Sequence, residues 1–199
     1  MNQLNNQQAA FVSFLELQHG PTGRANLAEL RRAATDPLSD FRDLRILGQH
    51  LPEGTDREFD TYRLTAALFA LYATKFWDRS SYLKLPRFSD ETKRRSLGAS
   101  LRQLRNSISV GQESLDLRFS ALLDAPAEDL AVPLRNVIQR IATADKRIPV
   151  DFYRLLNDLL HWNADEARRR WARDYWQAAG GGFAGADAET TEISNQTNV

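Results

Sequence analysis

Apolar residues in this chain recur at three- and four-residue steps, segment after segment, and nowhere alternate over the length of a strand. That step matches the 3.6-residue turn of an α-helix. Phe11, Phe14 and Leu15, with Gln18 as one polar lapse, predict a helix over about 5–18. His19-Gly20-Pro21-Thr22-Gly23 breaks it. A second helix is expected from about Arg24 to Ala33, burying Leu27 and Leu30 and stopped by Asp36-Pro37. Phe41, Leu44 and Leu47 predict a short third helix before Pro52 and Gly54. Glu58 to Trp77 reads as a long apolar helix and as the central element of the N-terminal half.

A polar, Pro-containing connection over 78–88 follows, and then a basic helix starting at Ser89 and Asp90, with Glu91 in its first turn. Further helices are expected over 113–124, over 128–144 with Pro133 early in it, over 150–162 and over 163–179. Asn163 with Glu166 three residues on predicts a capping box for the last of these. Gly180-Gly181-Gly182 ends it, and the small, acidic tail to Val199 is expected to be disordered. The expected fold is therefore all-α, a packed bundle of about eight or nine helices without a β-sheet. Two halves, 1–80 and 81–179, precede a tail over 180–199, and one continuous core across the 78–88 connection is the alternative.

Charge is unevenly spread. The formal net charge is zero, yet Lys84, Arg87, Lys93, Arg94, Arg95, Arg102 and Arg105 face only Asp90 and Glu91 within one stretch. A neutral chain that gathers cations in one place can hold a polyanion there without being adhesive elsewhere. On a helical wheel Leu97, Leu101, Leu104 and Ile108 share one face. Arg95 and Arg102 fall roughly opposite, flanked by Arg94 and Arg105. Gly98 lies between, where a missing Cβ lets another backbone approach closely. Arg24, Arg31 and Arg32 form a second basic group. Arg135, Arg140, Lys146 and Arg147 form a third, against Asp145 alone. Arg168, Arg169 and Arg170 are expected to be spent on local pairing with Asp165 and Glu166. Trp162, Trp171, Tyr175 and Trp176 read as core or partner contacts rather than base-stacking platforms.

Several classes of chemistry find no support. His19, His50 and His161 stand far apart without a ligand at helical spacing, and neither a metal nor a cofactor motif is present. Neither a P-loop nor a nucleophile elbow occurs, so the chain is not expected to be an enzyme. No apolar run is long enough to span a membrane. The polar N-terminus and the absence of cysteine point to a reducing cytoplasm.

The order of motifs resembles a known family. Gly20–Ala33 (GPTGRANLAELRRA) is similar to its N-terminal turn and helix ending in paired arginines. Ser96-Leu97-Gly98 with LRQLR, then LDLRFSALL over Leu115–Leu123, follow in the family's order. Leu134-Arg135, Ile148-Pro149-Val150-Asp151-Phe152, Asp158–Trp162 and Trp171–Tyr175 complete it. Over residues 8 to 177 the chain resembles the CasB family, small subunits of the type I-E CRISPR Cascade complex.

The resemblance implies a non-catalytic, all-helical subunit that occurs as two copies along an assembly built on CRISPR RNA. It implies contact with the backbone and large subunits, and basic faces that hold the displaced strand of target DNA. Carried over by motif, the implied contacts are Arg31, Arg32, Arg102 and Arg135. Asn136 stands where the family continues with a second basic residue, and Arg105, Arg118 and Arg140 are the candidate substitutes. Two other readings fit the basic faces. One is a helical scaffold or adaptor for acidic protein partners. The other is a helix-turn-helix regulator reading DNA with the Asp90–Arg105 segment.

Overall fold

The computed structural model describes residues 3–33, 43–76, 84–87 and 95–177. Among the described residues there are nine α-helices and no strand: α1 (Gln3–Gln18), α2 (Arg24–Ala33), α3 (Leu44–Leu47), α4 (Asp56–Ala73), α5 (Leu97–Ser107), α6 (Gln112–Asp124), α7 (Ala131–Ala142), α8 (Phe152–Leu160) and α9 (Asp165–Trp176). The all-α expectation holds. Phe41, Trp77, the Ser89–Arg94 segment and the tail over 180–199 lie outside the described residues.

Helix α4 is the centre of the bundle because its sequence gives it no polar side over its second half. Thr65 to Ala70 are all buried, as are Tyr72 and Ala73. A helix apolar around its circumference has to be surrounded, and α2, α7 and α8 surround it. Its start is fixed by a capping box that the sequence reading passed over. Glu58 N–H donates to Thr55 Oγ1 at 3.3 Å, and Thr55 N–H donates to the Glu58 carboxylate at 2.9 Å. The helix therefore begins at Asp56, two residues before the expected Glu58.

One hydrophobic core runs from Phe11 to Tyr175 and joins residues on both sides of the 78–88 connection. Tyr72 shows how. Its ring lies 4.9 Å from Phe76 and 5.5 Å from Phe152, and its hydroxyl donates to the Ile148 carbonyl at 2.7 Å. The halves 1–80 and 81–179 thus share a core, the second of the two arrangements left open by the sequence.

Burial pushes the Tyr62 hydroxyl up to about 12, helped by the negative charge of Glu58. Burial raises Tyr72 and Tyr175 as well. A phenol whose folded pKa exceeds the ordinary 10.0 contributes stability that is complete below that pH and is lost as pH rises through the folded value. Phenolate absorbance and helical circular dichroism should therefore change together in one alkaline transition for these three tyrosines. Their titration near the ordinary value with the helices intact would contradict this burial.

Two boundary expectations need correction. The basic helix does not start at Ser89-Asp90 and run through Arg105. Ser96 is extended (φ −73°, ψ 163°) and α5 begins at Leu97. Tertiary contacts hold the chain open there: Ser96 Oγ donates to Asp174 on α9 at 2.6 Å, and Arg95 N–H donates to Asp151 at 3.3 Å. Nor does Asn163 cap α9. Ala164 occupies that position with no side-chain cap, its N–H donating to the His161 carbonyl in the preceding turn.

Candidate nucleic-acid interface

The arginines of α5 turn toward the protein. Gly98 lies on the same flank as Arg102 and Arg105, and α9 packs directly against it: an added Cβ would stand 2.1 Å from the Trp171 carbonyl oxygen. With α9 along that flank, Arg102 meets the backbone end of the helix, Nη1 donating to the Gln177 carbonyl. A cation at a helix C-terminus satisfies an unpaired carbonyl and the dipole together. Arg105 forms a two-pronged pair with Asp116 of α6, Nε to Oδ1 at 2.8 Å and Nη2 to Oδ2 at 3.0 Å. Tyr175 donates to the same carboxylate at 2.6 Å. The Arg105 hydrogen bond holds the Asp116 carboxyl below the usual carboxylate range. The outward presentation expected for Arg102 and Arg105 is therefore corrected: one caps α9 and the other ties α5 to α6. Leu97 to Leu101 are all buried, so the first half of α5 has no free face to lay in a DNA groove.

The third basic group divides as well. At about 100° per residue, Arg135 and Arg140 flank the buried Leu134–Val137–Ile138–Ile141 stripe of α7 on opposite sides. Arg140 reaches toward Gly111, where the chain takes a left-handed turn (φ +86°) between α5 and α6. Both arginines are half-buried. Lys146 and Arg147 are exposed on the irregular segment leading to α8. Arg147 lies 5.8 Å over the Phe76 ring.

Three contacts dock that segment. Tyr72 bonds the Ile148 carbonyl, Ser100 Oγ donates to the Pro149 carbonyl at 2.7 Å, and Asp151 accepts from the Arg95 backbone. Arg147 is four residues from Asp151, at most about 13 Å of extended chain. Arg95, whose backbone N–H meets Asp151, is exposed, as are Lys146 and Arg147 earlier in the same segment. Lys75 is exposed next to Phe76, the ring under Arg147. Lys75 stands outside the basic groups in sequence, and the contact of its neighbour Phe76 with Arg147 relates it to one of them.

The remaining expected residues sit elsewhere. Arg24, Arg31 and Arg32 are exposed on α2, which packs on α4 and α1. Arg118 is exposed on α6, with Ser114 at 3.4 Å. Among the described residues, no carboxylate lies within ion-pair distance of Arg31, Arg95, Arg118, Arg135, Arg140, Lys146 or Arg147. Arg94 lies outside the described residues.

Around α8 and α9 the polar residues are structural. Asp158 is fully buried and accepts from Arg170 Nη2 and Trp171 Nε1, each at 2.6 Å. Local pairing predicts Glu166 as the partner of Arg170, but the buried carboxylate on α8 takes it instead, beside Trp171, whose ring meets Trp162 of the α8–α9 turn at 4.9 Å. Arg168 and Arg169 do pair with Asp165, at 3.0 and 3.4 Å. Trp162, Trp171 and Tyr175 are core residues, as expected, and Trp176 is half-exposed.

The fold defines an all-helical protein; of the basic residues singled out from the sequence, the exposed ones among the described residues are Arg95, Lys146 and Arg147, Arg24, Arg31 and Arg32 on α2, and Arg118 on α6. No helix among the described residues is long and apolar enough to cross a membrane. Residues 26–176 match the family described as CRISPR-associated protein Cse2. The CRISPR-associated protein Cse2 of Thermus thermophilus is 39% identical over 70 residues, and that match spans 34% of this chain and 38% of the relative's length.

Two solved structures resemble the whole bundle. CasB from Thermus thermophilus is 28% identical, with 86% of this chain and 98% of that chain covered at a TM-score of 0.63. CasB from M. ruber is 32% identical, with 85% and 92% covered at 0.60. The chain belongs to the CRISPR-associated Cse2 family.

Proposed function

We propose that this chain is a non-catalytic small subunit of an RNA-guided Cascade complex, holding nucleic acid through its sugar-phosphate backbone and steadying the displaced strand of the R-loop. The observation that carries the reading is the 144–151 edge. Lys146 and Arg147 stand exposed there, on a segment pinned by hydrogen bonds from Tyr72 and Ser100, and exposed Arg95 is tied to its Asp151 end; among the described residues none of the three has a carboxylate partner. Cations on a fixed backbone meet phosphates at little ordering cost, and such contacts carry no sequence information. None is needed, because base pairing with the guide selects the target.

In this reading Arg31, Arg32, Arg24 and Arg118 extend the contacts, and Arg135 and Arg140 serve from the two flanks of α7. Arg102 and Arg105 act through the fold. The partners are CRISPR RNA, target DNA, the backbone and large subunits, and a second copy of the chain.

Binding of target DNA by the assembled complex should weaken with salt more steeply for the native chain than for Lys146→Ala/Arg147→Ala. The difference expected is a slope of about 0.7 per single-strand phosphate contact removed. Identical slopes would exclude these residues from phosphate contact, and salt-independent binding would favour the adaptor reading.

A further inference from the structure

A groove of about 540 Å³ opens between α4, the Ala127–Asp129 turn, the start of α7 and the end of α8, and none of the cations proposed above to meet nucleic acid lines it. Leu64, Ala67, Leu130 and Leu159 line its apolar part. Its floor also holds Asp43 and Arg63, which neutralise each other through bonds of 2.6 and 3.0 Å. The rim carries Glu128 and exposed Asp60, which lies 3.7 Å from Arg63 Nη1, against Arg57, and exposed Asp129 adjoins Glu128 in the same turn. Neither Glu128 nor Asp129 has an ion-pair partner among the described residues. A volume of this order accepts one or two large side chains. The carboxylate-rich rim repels phosphate and favours a cation.

We infer that this groove docks a segment of a neighbouring protein subunit, an apolar side chain entering between α4 and α7 with a lysine or arginine beside it facing Asp60 and Glu128. This rests on the reading of the chain as a subunit of a larger assembly, but not on its basic edge. The groove would give the chain two faces of opposite chemistry: cations for nucleic acid, and an acid-rimmed apolar slot for protein.

The chain has no cysteine, so one introduced thiol reports on one place. Ala131 lines the groove. The thiol of Ala131→Cys should react with a maleimide at least about tenfold more slowly in the assembled complex without target DNA than in the isolated chain. Equal rates would overturn the proposal. A thiol already slow in the isolated chain would also overturn it, because the chain's own residues would fill the groove. Protection that appears only when DNA is added would assign the groove to nucleic acid and overturn it likewise.

Adding Lys146→Glu and Arg147→Glu should leave the protection intact, so failure of the basic edge and failure of the groove are read separately. Asp60→Lys/Glu128→Lys should reduce protection at Ala131→Cys at least about threefold, and unchanged protection would overturn the charge pairing.

Discussion

Gly98→Ala is expected to lower stability by about 3 kcal/mol or more, a loss of roughly 10 °C in melting temperature for a chain of this size. The added methyl group would stand 2.1 Å from the Trp171 carbonyl oxygen and 2.8 Å from its carbonyl carbon. Both are backbone atoms, so no rotamer change relieves the clash and α5 and α9 have to part. Their separation opens the contact around buried Trp171 and loosens the Asp116–Tyr175 link. Gly48→Ala supplies the contrast: Gly48 has helical dihedrals and nothing within 4 Å of an added Cβ. It should be neutral or slightly stabilising, through lower entropy of the unfolded chain. Thermal melts of the two variants side by side check both, and equal melting temperatures would contradict the α5–α9 packing.

Asp158→Ala should be about as damaging, at about 3–5 kcal/mol, because it leaves buried donors with no acceptor. Arg170 and the Trp171 indole both donate to this carboxylate, and Arg154 Nε approaches Oδ1 at 3.0 Å. The Asp158 side chain is wholly excluded from water, while Arg154 and Arg170 keep about a quarter of theirs exposed. The arginines can turn outward in the variant, but the indole N–H cannot, since Trp171 is fully buried. Asp158→Asn retains an acceptor and should lose less, and Trp171→Phe removes the indole hydrogen bond together with some core volume. Chemical denaturation of the three variants should rank them in that order, with Asp158→Ala least stable. Asp158→Ala within 1 kcal/mol of the native chain, about the value of an ordinary surface substitution, would contradict the clamp.

Much of the bundle was legible because periodicity reports the buried stripe. Leu97, Leu101 and Leu104 share one face of the wheel and are all buried. The lone Gly98 was read as a place of close backbone approach, and the α9 backbone is there. Less legible were features set by partners distant in sequence. Ser89-Asp90 has the local chemistry of a helix start, but Asp174 and Asp151 hold Ser96 and Arg95 out of the helix. Arg102 looked outward on the wheel of α5 because that wheel carries no trace of α9.

The basic site was legible in composition but not in arrangement. Arg105 resembled its neighbours in sequence, yet Asp116, eleven residues on, neutralises it. Lys146 and Arg147 gain a fixed position only through hydrogen bonds to the next two residues from Tyr72 and Ser100. One continuous track made from all the helices does not follow from this geometry. Of the arginines and lysines singled out from the sequence, the exposed ones among the described residues are Arg95, Lys146 and Arg147, Arg24, Arg31 and Arg32 on α2, and Arg118 on α6.

The direct test is the lifetime of the R-loop held by an assembled complex carrying Arg95→Glu, Lys146→Glu and Arg147→Glu in this subunit. These side chains are exposed, so the variant should keep its melting temperature and enter the complex. The expected result is an R-loop lifetime shortened by at least about tenfold, with the defect growing as salt is lowered. An R-loop as long-lived as that of the native complex, in a folded and incorporated variant, would contradict phosphate contact along this edge.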